Sequence, residues 1–120
     1  MRLLYVEDNR INALLFEEAM RLSPGVEVRV AEDGGHAMRT VAEWTPDVLV
    51  LDSHLPDITG LQLLQQLREL PALAGTPAFM CSADAQPEDV QQALDAGFRG
   101  YWAKPIAISA ILADLGRLEA

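Results

Sequence analysis

Five short apolar runs, each followed by a stretch with helical spacing, constrain this chain more than any other feature. "LLYV" (3–6), "VEVRV" (26–30), "VLVL" (48–51), "AFMC" (78–81) and "GYWA" (100–103) read as strands by length and by β-branched or aromatic content. Between and after them lie helical stripes. Ile11, Leu14, Leu15, Ala19 and Leu22 form one; Leu63, Leu64, Leu67 and Leu70 another; Val90, Ala93 and Leu94 a third; Ile108, Ile111, Leu112, Leu115 and Leu118 a fourth. The segment from about 35 to 44 is the weakest, carried by Ala37, Met38, Val41 and Ala42. Asn9 suits an N-cap, Pro87 a first helical turn and Gly97 a C-terminal exit. Consecutive strands joined through helices must run parallel, so the pattern predicts an α/β fold with a five-stranded parallel sheet and helices on both faces.

Burial patterns suggest the strand order. "VEVRV" alternates apolar and charged residues, as an edge strand partly open to water should, whereas "VLVL" is apolar throughout, as a central strand should be. These placements fit the doubly wound order 2-1-3-4-5. At 120 residues, with no repeat or linker, one domain over 1–120 is expected.

Composition narrows the function classes. Nine basic residues face eighteen acidic ones, net −9, without a basic cluster, which argues against direct nucleic-acid binding and favours cations or a basic partner protein. No apolar run could cross a bilayer and no signal-like start is present, so a cytoplasmic location with no membrane contact is expected. The single cysteine, Cys81, allows neither an internal disulfide nor a multi-cysteine zinc site and reads as a small buried hydrophobe. Trp102 is expected to pack on the sheet, Trp44 to be partly exposed, and His36 to lie at the surface.

The third strand poses the chemical question, because its apolar run ends on Asp52, and a carboxylate there is costly unless paired. In a parallel sheet every strand's C-terminal end lies on one rim, where ligands bind. This chain places Glu7 and Asp8, Asp52, Ser82 and Lys104 on that rim. Singly, each has a plain structural reading: a strand-terminal acid capping a turn, a helix-capping serine, a surface lysine before a turn proline. Together they suit phosphoryl transfer. Three close carboxylates need a cation, and an all-oxygen set with room for a phosphate favours Mg²⁺. Lys104 would add a second positive charge, and Asp52 would be the in-line nucleophile.

The motifs "VEDN" (6–9), "LDSHLPDITG" (51–60), "CSA" (81–83) and "YWAKP" (101–105), in this order and spacing, resemble a response regulator receiver domain over essentially the whole chain. The resemblance implies a flavodoxin-like (βα)5 fold and a phosphoacceptor switch, not an enzyme, that assists its own phosphorylation and dephosphorylation. It implies Asp52 as phosphoacceptor, Mg²⁺ (with Mn²⁺ as a substitute) held by Glu7, Asp8, Asp52 and the backbone carbonyl of His54, and Ser82 and Lys104 as the hydroxyl and lysine positions. It also implies Tyr101 as a switch aromatic, His54 and Asp84 as positions that tune phosphoryl lifetime, and a cis Lys104–Pro105 peptide. The partners implied are a histidine kinase or histidine phosphotransfer protein, and a downstream protein reading the surface of helix 4, strand 5 and helix 5. A phosphorylation-dependent homodimer is among the assemblies allowed. The chain could be a single-domain regulator or a receiver cut from a larger regulator or hybrid histidine kinase. Glu7 stands where the family often has Asp, and Ser82 where it often has Thr; both substitutions keep the chemistry.

Three rival readings have discriminating features. An aspartate-nucleophile phosphatase would carry a second acid two residues after Asp52, where His54 stands. A flavin mononucleotide carrier would not place "EDN" where its phosphate binds. A degenerate docking module would not need the complete set of acids, hydroxyl and lysine.

Overall fold

The computed structural model describes residues 1–119. Ala120, the last residue of the domain expected over 1–120, lies outside the described residues. Strands β1 (Arg2–Val6), β2 (Glu27–Ala31), β3 (Val48–Asp52), β4 (Ala78–Ser82) and β5 (Gly100–Ala103) alternate with helices α1 (Arg10–Met20), α2 (Gly34–Glu43), α3 (Gly60–Arg68), α4 (Pro87–Asp95) and α5 (Ile108–Glu119). Every strand pair is parallel and the order is β2-β1-β3-β4-β5, as the alternation and burial patterns predict. β2 is half wet at its edge and all of β3 is buried.

Strand residues alternate between two cores because successive side chains point to opposite faces. Leu49 and Leu51 join Leu63, Leu64 and Leu67 of α3 and Ala93 of α4, whereas Val48 and Val50 join Phe16 and Met20 of α1 and Ile111 and Leu115 of α5. Trp102 packs on this second face, stacked on Phe79 with ring centroids 4.7 Å apart, as expected. Each buried Leu, Ile or Phe contributes roughly 1.5–3 kcal/mol. The caps also match expectation: the Asn9 side chain accepts from the Asn12 amide, Pro87 opens α4, and Gly97 leaves it at φ +106°.

Two expectations are corrected. Most of the apolar stripe read in the first helix faces outward: Ile11 is 69% exposed and Leu15 65%, Leu14 is also exposed, and Leu22 is exposed beyond the end of α1, while Ala19 is half-buried. Ala13, Phe16 and Met20 face the sheet instead, and Phe16 packs on Tyr5 at 4.3 Å between ring centroids. α1 is apolar on two sides, so spacing alone could not choose, and the larger aromatic surface of Phe16 takes the core. Trp44 is only 4% exposed. It tucks against the α2–α3 core, and the guanidiniums of Arg2 and Arg29 cover its ring from 5.5 and 4.8 Å.

Gly60 has no room to spare against backbone. A Cβ on Gly60, at the start of α3, would lie 2.4 Å from the Asp52 carbonyl oxygen and 3.1 Å from the Met80 sulfur. Gly60→Ala must therefore push α3 away from the end of β3, and overpacking of this kind costs about 1–3 kcal/mol. Chemical denaturation of the two proteins measures it, and an unchanged midpoint would mean that the close approach is not required.

Candidate functional site

The site is built where four strands end. Asp52 closes β3 and Ser82 closes β4, while Glu7 and Lys104 are the first residues beyond β1 and β5. Ladder bonds run through these positions: the Glu7 amide donates to the Ala31 carbonyl (2.9 Å), the Ser53 amide to Cys81 (3.2 Å) and the Lys104 amide to Ser82 (2.8 Å). The backbone under each side chain is thus held by the sheet and not by a loop. The Lys104–Pro105 peptide is cis.

Lys104 joins the two buried acids. Its Nζ lies 2.6 Å from Glu7 Oε1 and 3.1 Å from Asp52 Oδ2, and these acids are only 1% and 6% exposed. Glu7 Oε1 also accepts from the Tyr5 hydroxyl (3.0 Å) and the Asn12 side-chain Nδ2 (3.4 Å). Asp8 sits at the exposed lip, and carboxylate oxygens of Glu7, Asp8 and Asp52 lie within 4.8 Å of one another. An all-carboxylate oxygen set with this spacing fits a hard divalent cation. The His54 ring turns to Asp84 instead, 3.0 Å away, outside this cluster.

Crowding divides the two buried acids electrostatically. Burial works to raise both. For Glu7 the hydrogen bonds from Asp52 and Lys104, with the charge of Lys104, outweigh it and bring the pKa down to about 2. Asp52 is carried up to about 6 by burial, the shared hydrogen bond and the charge of Glu7, against the opposing pull of Lys104. Burial would lower the Lys104 pKa, but its bond to Glu7 and the nearby charges raise it. The Cys81 thiol beneath the site is pushed up to about 12, chiefly by burial, and stays protonated at neutral pH.

Ser82 is fully buried. Its hydroxyl oxygen accepts from Ser53 Oγ (2.7 Å) and from the Asp84 amide (3.0 Å), and the partly exposed Tyr101 hydroxyl donates to the Asp84 carbonyl. The candidate residues thus fall into an acid–lysine cluster and a Ser82–Asp84–His54–Tyr101 group. Residues given no role in the sequence analysis also take part. Tyr5 and Asn12 hold Glu7, Ser53 holds Ser82, and Asp57 ties the β3–α3 segment to α2 by accepting from the Gly34 (2.9 Å) and Gly35 (3.0 Å) amides. Ser53 and Asp57 lie within the "LDSHLPDITG" motif and Asn12 close to "VEDN", but nothing in the sequence marked Tyr5 for this role.

Residues 3–115 match the family model of the response regulator receiver domain. Among curated relatives, the sensory/regulatory protein RpfC of Xanthomonas campestris is 30% identical over 120 residues, which cover 98% of this chain but 16% of RpfC. This chain therefore spans a small part of such a relative. Among solved structures, chemotaxis response regulator CheY4 of Vibrio cholerae superposes with a TM-score of 0.87 at 26% identity, covering 97% of this chain and 96% of CheY4. The receiver domain of the sensor histidine kinase PA1611 from Pseudomonas aeruginosa, with a magnesium ion coordinated in its active site cleft, gives 0.85 at 29% identity, covering 97% and 94%.

Proposed function

The chain belongs to the response regulator receiver domain family, the phosphoacceptor signalling domains of two-component systems, and on that premise we propose that it accepts a phosphoryl group on Asp52 and switches a protein-binding surface in response. The observation that carries this reading is Lys104 bridging Glu7 and Asp52 in a buried pocket on the C-terminal rim of the sheet. An Asp52 carboxylate oxygen attacks the phosphorus of a phosphohistidine. The O–P bond forms as the P–N bond breaks, and the leaving imidazole takes up a proton. Lys104 turns from Asp52 to a phosphoryl oxygen, and Ser82 donates its hydroxyl hydrogen to another. Charge developing on these oxygens meets donors already in place, so positioning and electrostatics supply most of the rate.

Glu7, Asp8, Asp52 and the backbone carbonyl of His54 would hold Mg²⁺, with Mn²⁺ as a substitute. When bound, the ion neutralises phosphoryl charge. Binding requires the Asp52 carboxylate, whose pKa lies near 6 in the metal-free protein, so protons compete below that pH. Calorimetric Mg²⁺ titration should show affinity level above pH 7 and falling by up to about tenfold per unit below pH 6. An affinity flat from pH 5 to 8 would remove Asp52 from the metal site.

Loss of the phosphoryl group to water restores the carboxylate, so the domain acts once per phosphorylation and assists both directions. While phosphorylated, Ser82 leaves Ser53 and the segment after β4 follows it. Tyr101 then gives up the Asp84 carbonyl and turns inward, altering the α4–β5–α5 face read by a downstream protein or by a second copy of the domain. The donor is a histidine kinase or phosphotransfer protein. A cleft of about 390 Å³ between α1 and α5, lined in part by Leu15, Lys104 and Ile108, offers its helices an apolar footing beside the site. Among the described residues no helix is long and apolar enough to cross a membrane; we place the chain, as one domain, in the cytoplasm, and the net charge of −9 fits a surface without nucleic-acid contact. Intact mass after incubation with Mg²⁺ and a small acyl phosphate tests the reading. One phosphoryl group gained, dependent on Mg²⁺, is expected; continuous phosphate release would favour a phosphatase.

A further inference from the structure

Three bonds converge on Asp84, in the short segment between β4 and α4. Its carboxylate Oδ2 lies 3.0 Å from His54 Nε2, its amide donates to Ser82 Oγ at 3.0 Å, and its carbonyl accepts from the Tyr101 hydroxyl. Ala83, Asp84, Ala85 and Gln86 are all exposed. Among the described residues, the hydrogen bonds that tie 83–85 to the neighbouring strands and loops run through Asp84. The capping box of Gln86 and Asp89 is internal to α4 and ties nothing else down.

The Ser82 hydroxyl has two lone pairs, and both are engaged, one by Ser53 and one by the Asp84 amide. For Ser82 to swing toward a phosphoryl group on Asp52, the Asp84 amide must let go and the segment must shift. That shift carries the Asp84 carboxylate away from His54. A bond between the two side chains that forms on one side of the equilibrium only would bias it. His54 anchors the other end firmly: it follows Asp52 by two residues, and the neighbouring Ser53 is held by both its amide and its hydroxyl. With its hydrogen on Nε2, the His54 ring donates to the Asp84 carboxylate.

We propose that Asp84 is a positioning residue whose side-chain bond to His54 latches the β4–α4 segment in the resting arrangement, holding Ser82 against Ser53 and raising the threshold for phosphoryl capture. This inference rests on the phosphoacceptor reading above. The pair is exposed, and exposed pairs of this kind are worth about 0.2–1 kcal/mol, which corresponds to at most about a fivefold bias.

The test is Mg²⁺-dependent binding of beryllium fluoride, a phosphoryl mimic, titrated into wild type, His54→Leu, Asp84→Ala, the double variant and His54→Gln, with the Tyr101 ring followed by NMR. Each single loss should tighten binding about two- to fivefold. The double variant should bind more weakly than the product of the two single effects requires, since the second loss has no bond left to break, and this cycle removes the plain charge effect of Asp84. His54→Gln places an amide donor near the original Nε2 and should return affinity toward wild type, which a general loosening of the loop would not do. Unchanged affinity in the single variants, additive effects, or no rescue by Gln would overturn the latch while leaving the phosphoacceptor reading standing. A wild type that binds no beryllium fluoride in Mg²⁺ would overturn that reading and the latch with it.

Discussion

Asp52→Asn should gain no phosphoryl group from an acyl phosphate in Mg²⁺, while its metal-free fold becomes more stable than wild type at neutral pH. The first result follows from chemistry: an amide oxygen is a poor nucleophile and cannot form the acyl phosphate. The second follows from electrostatics. Asp52 is buried beside Glu7 and its pKa is raised to about 6, so the folded state holds its proton more tightly than the unfolded chain does. A raised carboxylate pKa means that stability is greater at acid pH and falls as pH rises through about 6. Glu7 runs the other way, because its lowered pKa supplies stability that is lost only below its ordinary value, as pH falls toward about 2. Between pH 5 and 7.5 the Asp52 effect is therefore the one seen, at about 1 kcal/mol. Denaturation of metal-free wild type at the two pH values should show this loss, and the Asn variant should lack it. Bound Mg²⁺ would remove the penalty and add its own binding free energy to the wild type. A phosphoryl group appearing on the variant would place the acceptor elsewhere, and equal pH dependence in both proteins would refute the electrostatic account.

Lys104→Ala should slow phosphoryl uptake by about 10²–10³-fold, the usual cost of losing one preorganised donor to developing charge. Lys104 contacts both buried acids at hydrogen-bond distance, so it is already in place when the phosphoryl oxygens arrive. Lys104→Arg should not restore the rate, because a planar guanidinium cannot replace a compact ammonium in a space matched to 2.6 and 3.1 Å contacts. The variant should still bind Mg²⁺, since removing a cation leaves the carboxylates more available, and calorimetry separates this from a collapsed site. Uptake within tenfold of wild type by intact-mass time course would mean that Lys104 serves the resting charge balance and not the transfer.

Much of the site was legible because it depends on two simple facts. Strands alternating with helices run parallel, and parallel strands end on one rim. Glu7, Asp52, Ser82 and Lys104 could therefore be brought together from their positions at strand ends, and the structure gathers them there. The partners that hold them were less legible. Tyr5 lies inside a strand and reads as core, yet its hydroxyl binds Glu7. His54 and Asp84 were each marked by their spacing from Asp52 and Ser82, but nothing in a linear spacing says that the two side chains meet. Asp57 was quoted only as part of a motif, and its bonds to the amides that open α2, more than 20 positions earlier, appear only in the fold.

The sequence by itself determined the alternation of elements, the half-wet β2, the fully apolar β3 and the chemistry at the strand ends, because these depend on local periodicity and residue type. Tertiary structure alone decided which side of α1 meets the sheet, that Trp44 lies beneath two arginines, and how the loops above the rim are bonded. A helix that is apolar on two sides satisfies the same periodicity either way round, and a loop side chain finds its partner only when separate strands have been brought side by side. Burial makes the first two choices, and hydrogen-bond satisfaction across the assembled sheet makes the third.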